Sequence, residues 1–169
     1  LEWTPNRKTI WYGVERADVT SDYTRLFLNY SAGMKGLLQS DFDYQKLQFY
    51  YRQPITIGPL GRTNVIVEVG KTFGEVPLGL LSVIPGNQTY FTIENTFSNL
   101  DYYEFVSDEY ATFQWTHNFN GKIFARIPGL RKLNWREIIG VKGVYGRISD
   151  ANKAINASGL DYQAPTDGY

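Results

Sequence analysis

The stretch Tyr110-Ala111-Thr112-Phe113-Gln114-Trp115-Thr116-His117-Asn118 alternates between polar and apolar side chains. Ala111, Phe113 and Trp115 fall on one side, with His117 at the end of their row. Tyr110, Thr112, Gln114, Thr116 and Asn118 fall on the other. A period of two belongs to a β-strand, because successive side chains of an extended backbone point to opposite faces. The same period recurs outward in both directions. Arg25-Leu26-Phe27-Leu28-Asn29-Tyr30-Ser31-Ala32 sets Leu26, Leu28, Tyr30 and Ala32 against Arg25, Phe27, Asn29 and Ser31. Lys46-Leu47-Gln48-Phe49-Tyr50-Tyr51-Arg52 sets Leu47, Phe49 and Tyr51 against Lys46, Gln48, Tyr50 and Arg52. Over residues 64–72, Val65, Val67 and Val69 oppose Asn64, Glu68 and Thr72, with Ile66 breaking the pattern. Near the end, Ile139, Val141 and Tyr145 alternate with Gly140, Lys142, Val144 and Gly146. Residues 9–14 and 89–97 are weaker strand candidates, for six or seven strands in all.

Turn residues punctuate these runs: Gly33 to Gly36, Gly58-Pro59-Leu60-Gly61, Pro85-Gly86-Asn87, Asn120-Gly121 and Pro128-Gly129. The one at Gly58 is tight and predicts a hairpin. The connection over residues 74 to about 110 is long, with many Pro, Gly, Asn and Tyr. Residues 149–169 are polar and predict a loop.

Composition removes several function classes. The chain has 169 residues, 17 Lys and Arg against 17 Asp and Glu, and no Cys. Zero net charge is unlike a nucleic-acid binder, which needs surplus cations for phosphate. Without cysteine there is no disulfide framework, thiolate metal site or thiol nucleophile. No apolar run approaches the roughly 18 residues of a transmembrane helix. The chain starts at Leu1 with no basic-then-apolar leader, as expected of a mature chain or a piece of one.

Alternation fits two architectures. A soluble sheet turns its apolar face inward, whereas a membrane barrel turns it to lipid and encloses the polar face. Three features lean toward the membrane. The polar rows carry long groups (Arg25, Lys46, Gln48, Arg52, Glu68, Gln114, Lys142) that suit a hydrated interior. Aromatic residues make up 16% of the chain and gather near strand ends, at Trp11-Tyr12, Tyr50-Tyr51, Tyr102-Tyr103, Trp115 and Trp135. Such rings favour the membrane–water boundary. Strand lengths of roughly 9–11 residues match those of transmembrane strands.

Several segments also carry a family resemblance. Gly36-Leu37-Leu38-Gln39-Ser40-Asp41-Phe42-Asp43-Tyr44 is similar to a Gly-x-Leu-Gly-Ser-Asp-Phe-Asp-Tyr segment. It is followed by Leu60-Gly61-Arg62-Thr63 and Val69-Gly70-Lys71-Thr72-Phe73-Gly74-Glu75-Val76-Pro77. Then come Ile84-Pro85-Gly86-Asn87-Gln88-Thr89-Tyr90-Phe91 and Asp101-Tyr102-Tyr103-Glu104-Phe105-Val106-Ser107-Asp108. Last is Arg126-Ile127-Pro128-Gly129-Leu130-Arg131-Lys132-Leu133-Asn134-Trp135-Arg136-Glu137. In order and spacing, over roughly residues 20–150, these resemble an uncharacterised family of Bacteroidota outer-membrane proteins. Its members usually carry an N-terminal carboxypeptidase-regulatory-like domain before a large C-terminal β-barrel. The resemblance implies an all-β, antiparallel transmembrane β-barrel in the cell outer membrane, and it implies no reaction. Residues 1–169 are expected to be part of one such barrel domain, an incomplete portion of a larger one, since closure takes about eight strands.

Candidate chemistry is sparse. His117 lacks the partners of a catalytic relay or a two-histidine metal site. Asp101, Glu104, Asp108 and Glu109 lack the spacing of a calcium loop and read as solvated or paired acids. Asp41 and Asp43 suit turn-type hydrogen bonds. Pairing Glu75 with Glu94 or Glu104 for acid–base chemistry would need a cleft that the sequence does not reveal. Lys122, Arg126, Arg131, Lys132 and Arg136 form the most basic stretch, suited to a turn at the membrane boundary, to anionic headgroups or to an acidic partner.

The expectation is therefore a non-enzymatic outer-membrane barrel protein without cofactor or metal. It would be a structural or partner-docking subunit of an outer-membrane complex, or a pore-type component. Its partners would be outer-membrane lipid and other outer-membrane or periplasmic proteins, with no nucleic acid. The alternatives are an assembly or translocation barrel and a soluble β-rich ligand-binding module. The loop over residues 74–110 is the expected contact segment, through Pro85, Gly86, Asn87, Tyr90, Tyr102, Tyr103 and Glu104. If the turn at Gly58 is periplasmic, that loop lies outside the cell and the connection over residues 120–134 returns to the periplasmic side.

Overall fold

A computed structural model describes residues 1–20, 22–36, 40–91, 93, 95–101 and 104–157. The five alternating runs are strands, each slightly longer than its pattern. They are β4 (Arg25–Gly33), β5 (Tyr44–Thr56), β6 (Arg62–Phe73), β9 (Glu109–Asn118) and β10 (Ile138–Arg147). With the short β1 (Glu2–Trp3) they make a six-stranded sheet in the order β1-β4-β5-β6-β9-β10. The weak run at residue 9 becomes β2 (Thr9–Tyr12), which pairs antiparallel with β3 (Glu15–Asp18) in a separate sheet. A third sheet is antiparallel β7 (Ser82–Val83) with β8 (Val106–Ser107), inside the long connection. The fold is all-β with antiparallel sheets. Among the described residues no sheet closes into a barrel, and β1 and β10 are its edges.

Two expectations fail. Residues 89–97 are not a strand among their described members. Their one bridge is Gly86 to Phe97, and it is parallel. The cause is local: Asn87 Oδ1 accepts from the Thr89 amide at 2.9 Å, and Thr96 Oγ1 donates to the Ile93 carbonyl. Side chains that serve nearby backbone groups compete with a ladder. Residues 149–157 are not all loop, because α1 (Asp150–Ile155) occupies most of them. Ser149 caps it, Asp150 lies in its first turn and Lys153 in its last.

The tight connection forms as expected. Gly58–Leu60 is one turn of 3-10 helix, and the Ile57 amide donates to the Gly61 carbonyl at 2.9 Å. Gly61 has φ +107, and a Cβ there would run into the Asn118 carbonyl. Only glycine meets both conditions at low cost.

The chain divides into two compact units, and each long strand contributes residues to both. The first holds residues 1–27, 50–67 and 113–143. In it Tyr23 is buried, with the guanidinium groups of Arg7 and Arg25 each within 5.5 Å of its ring centre. Arg7 also forks onto Asp18 at 2.7 and 3.1 Å. That contact holds the Asp18 carboxyl below its ordinary range and raises the guanidinium of Arg7, the side-chain hydrogen bond being the main cause in both.

The second unit holds residues 28–49, 68–112 and 144–169, and both apolar clusters lie in it. Val76, Leu81, Val106 and Ile148 form one; Ile84, Phe97 and Tyr110 form the other. Most of these residues belong to the long connection, so that segment is built rather than idle.

Candidate functional site

A chain of hydrogen bonds identifies one face of the large sheet. Asn29 Nδ2 donates to Gln48 Oε1 at 3.2 Å, and Gln48 Nε2 donates to the Tyr110 hydroxyl at 3.2 Å. The Tyr110 hydroxyl donates to Glu68 Oε1 at 2.6 Å. These four side chains come from β4, β5, β9 and β6, which are neighbours in the sheet, so they share a face. Their strand neighbours Leu28 and Tyr30, Leu47 and Phe49, Val69, and Ala111 therefore lie on the opposite face.

At several positions exposure is inverted relative to a soluble sheet, although Phe27 on the polar side is exposed and Thr63 and His117 on the apolar side are buried. On β9, Thr112 and Gln114 are each 6% exposed, whereas Phe113 between them is 45% exposed. On β6, Thr72 is buried, whereas Val69 and Phe73 are exposed. Leu28, Tyr30, Leu47, Phe49, Val141 and Tyr145 are also exposed. In water each half-exposed Leu or Phe forgoes on the order of 1 kcal/mol of burial. Ile66, which breaks the alternation, is buried on its own account.

The long connection folds onto the polar face. Ile84 and Phe97 pack against Tyr110, and Lys46 Nζ donates to the Leu80 carbonyl at 3.2 Å. Gly70 on β6 leaves room for the Tyr110 ring, which a Cβ there would overlap. The end of the connection is clamped by α1. Asn152 is buried, takes the Val76 amide on Oδ1 at 2.9 Å and donates to Asp108 Oδ2 at 2.9 Å. Asn156 Nδ2 donates to the Val76 carbonyl at 2.9 Å, and the Ser149 amide donates to Asp108 Oδ2 at 2.9 Å. Sequence reasoning missed this clamp. Its signal was the Ser149-Asp150 cap, too short to carry a helical period.

The expected contact residues divide. Gly86 and Asn87 are buried and shape the loop. The Asn87 amide is shared between the Phe97 and Leu100 carbonyls at 3.1 Å each, and its side-chain nitrogen donates to the Phe91 carbonyl. A Cβ on Gly86 would strike the Leu100 and Asp101 carbonyls. Glu104 caps the Asp101 amide at 2.7 Å. Pro85 is exposed, and Tyr90 is fully so. Tyr102 and Tyr103 lie outside the described residues.

The candidate acids are dispersed. Glu109 pairs with Lys71 at 2.9 Å, Asp101 accepts from Gln88, and Asp43 accepts from the amide of Lys35, eight residues before it. Glu94 lies outside the described residues. Among the described residues no three His, Asp or Glu groups converge as metal ligands. His117 is buried, with both ring nitrogens engaged. Nε2 lies 3.0 Å from the Leu60 carbonyl and so carries the proton; Nδ1 then accepts from Thr63 Oγ1 at 2.6 Å. It ties β9 to the tight turn and is not a free ligand.

The basic connection between β9 and β10 contains two 3-10 turns, Phe124–Arg126 and Leu130–Leu133. An open pocket of about 260 Å³ is lined there by Asn120, Arg131, Asn134, Trp135 and Arg136, among others.

No curated protein and no solved structure matches the chain. The model of one family matches residues 1–150, which takes in every strand of the described residues and stops at the start of α1: the chain belongs to a family of unknown function (DUF5686), of which it carries the C-terminal domain.

Proposed function

We propose that this chain is a stretch of an outer-membrane β-barrel whose role is structural or partner-docking rather than enzymatic. One observation carries the reading: Thr72, Thr112 and Gln114 of the polar rows on β6 and β9 are buried, whereas Leu28, Leu47, Phe49, Val69, Phe113 and Val141 of the apolar rows are exposed. Lipid is the solvent that rewards this arrangement, and water penalises it. A soluble ligand-binding module would show the reverse. In this reading β4, β5, β6, β9 and β10 cross the membrane, the polar face turns to the lumen, and further strands cover the open edges of β1 and β10. The apolar clusters of the long connection pack over that polar face, which favours a filled interior over an open pore. Membership of the Bacteroidota outer-membrane family rests on the sequence resemblance.

The test uses native membranes. After an alkaline carbonate wash, samples are run unheated and boiled on a denaturing gel and blotted with an antibody to the loop around Asn87. Retention in the membrane pellet with a heat-dependent shift in mobility is expected. Recovery in the soluble fraction with a single mobility would overturn the reading.

A further inference from the structure

We propose that the connection between β9 and β10 is a docking site for anionic phospholipid headgroups, with Arg131 and Arg136 taking the phosphate. The proposal deepens the membrane reading by assigning a ligand to one end of the sheet. Residues 119–137 hold five cations, Lys122, Arg126, Arg131, Lys132 and Arg136, against one acid, Glu137. None of the five enters an ion pair among the described residues. Glu137 is buried and its Oε1 accepts from the Phe124 amide within the same segment, so the segment keeps a formal surplus of four positive charges.

The cations are not a loose tail. The Ala125 amide donates to the Gly121 carbonyl at 2.9 Å and the Phe119 amide to the Glu137 carbonyl at 3.0 Å. Asn120, Gly121, Gly129 and Asn134 take positive φ at its corners. The pocket places Arg131 and Arg136 beside Trp135 and the amide side chains of Asn120 and Asn134. Guanidinium groups recognise phosphate in bidentate fashion, and amide side chains add neutral donors. Its volume of about 260 Å³ admits a headgroup phosphate.

Apolar side chains stand exposed in the same segment: Ile123, Ile127, Leu133 and Trp135, the last 56% exposed. Cations mixed with exposed aliphatic and indole groups suit the boundary between headgroups and acyl chains. An acidic protein would match the charge but would leave those side chains in water.

The full chain, purified in detergent, is mixed with phosphatidylcholine vesicles with or without phosphatidylglycerol and floated on a density gradient. Wild type is compared with the Arg131→Gln/Arg136→Gln double variant and with Lys71→Gln, whose cation is paired elsewhere. Each juxtamembrane cation is worth about 1 kcal/mol on an anionic surface, or roughly fivefold in partition. The double variant is therefore expected to lose about 25-fold of the phosphatidylglycerol-dependent partition, and Lys71→Gln little. High salt should reduce the wild-type preference. Equal partition of wild type and double variant, or no preference for phosphatidylglycerol, overturns the proposal. Carbonate-resistant association with pure phosphatidylcholine vesicles reports the barrel reading separately. A chain that fails to insert but still floats only with anionic vesicles loses that reading and keeps this one.

Discussion

Two strand glycines make opposite predictions. Gly70 lies where an added Cβ would overlap the buried Tyr110 ring, which is fixed by Ile84, Phe97, Glu68 and Gln48. Gly70→Ala should destabilise by about 1–3 kcal/mol, the usual cost of overpacking a filled site. Gly143 on β10 has nothing within 4 Å of the same position, so Gly143→Ala should stay within roughly 0.5 kcal/mol of wild type. Urea midpoints of the refolded protein measure both. The Arg7–Asp18 pair predicts a pH effect. Folding favours the Asp18 carboxylate, so its contribution is complete above the ordinary value of 3.8 and is lost as pH falls through the lower folded value. Arg7→Gln should move the Asp18 titration back up toward that ordinary value, followed by its carboxyl carbon resonance. Both groups lie in water, so the effect on stability is small.

At the scale of the element, α1 should act as the latch of the long connection. Asn152→Ala removes the side-chain partner of the buried Val76 amide and one of the two donors to Asp108 Oδ2, which keeps the Ser149 amide. Leaving the buried Val76 amide unpaired costs about 1–3 kcal/mol. Limited proteolysis should then cut residues 74–110 faster, whereas Lys153→Ala, which removes an ion pair to exposed Asp150 at 3.7 Å, should leave the rate nearly unchanged. The long strands were legible because one physical cause, the different solvent on each side, writes a period of two into the sequence. Residues 89–97 misled because Asn87 and Thr89 spend their polarity locally, which period counting does not detect. The short β1, β3, β7 and β8 and the six-residue α1 offer too few positions for any period, and they form because tertiary partners meet them. Among the loop residues quoted from the family resemblance, the division into shaping residues (Gly86, Asn87, Glu104) and exposed ones (Pro85, Tyr90) needed coordinates.

For the molecule as a whole, the inverted sheet predicts an inverted tolerance to charge. Phe113→Arg on the exposed apolar face should cost about 2–4 kcal/mol if that position lies near the bilayer midplane, and should reduce the heat-shifted band in membranes. Val14→Arg at the exposed β2–β3 hairpin, outside the large sheet, should leave that band unchanged. Sheet order carries a further consequence, for timing. β5 and β6 are joined by a few residues through the Gly58–Leu60 turn, whereas β6 meets β9 only after residues 74–108 have been bridged. Closing a longer loop costs more chain entropy, and distant pairings form later. The β5–β6 hairpin should thus be the first piece to gain protection in pulsed hydrogen exchange, with β9 following once the connection has condensed. A lesion in the apolar clusters of that connection would then slow maturation of the sheet itself, leaving a half-assembled edge exposed to quality control for longer.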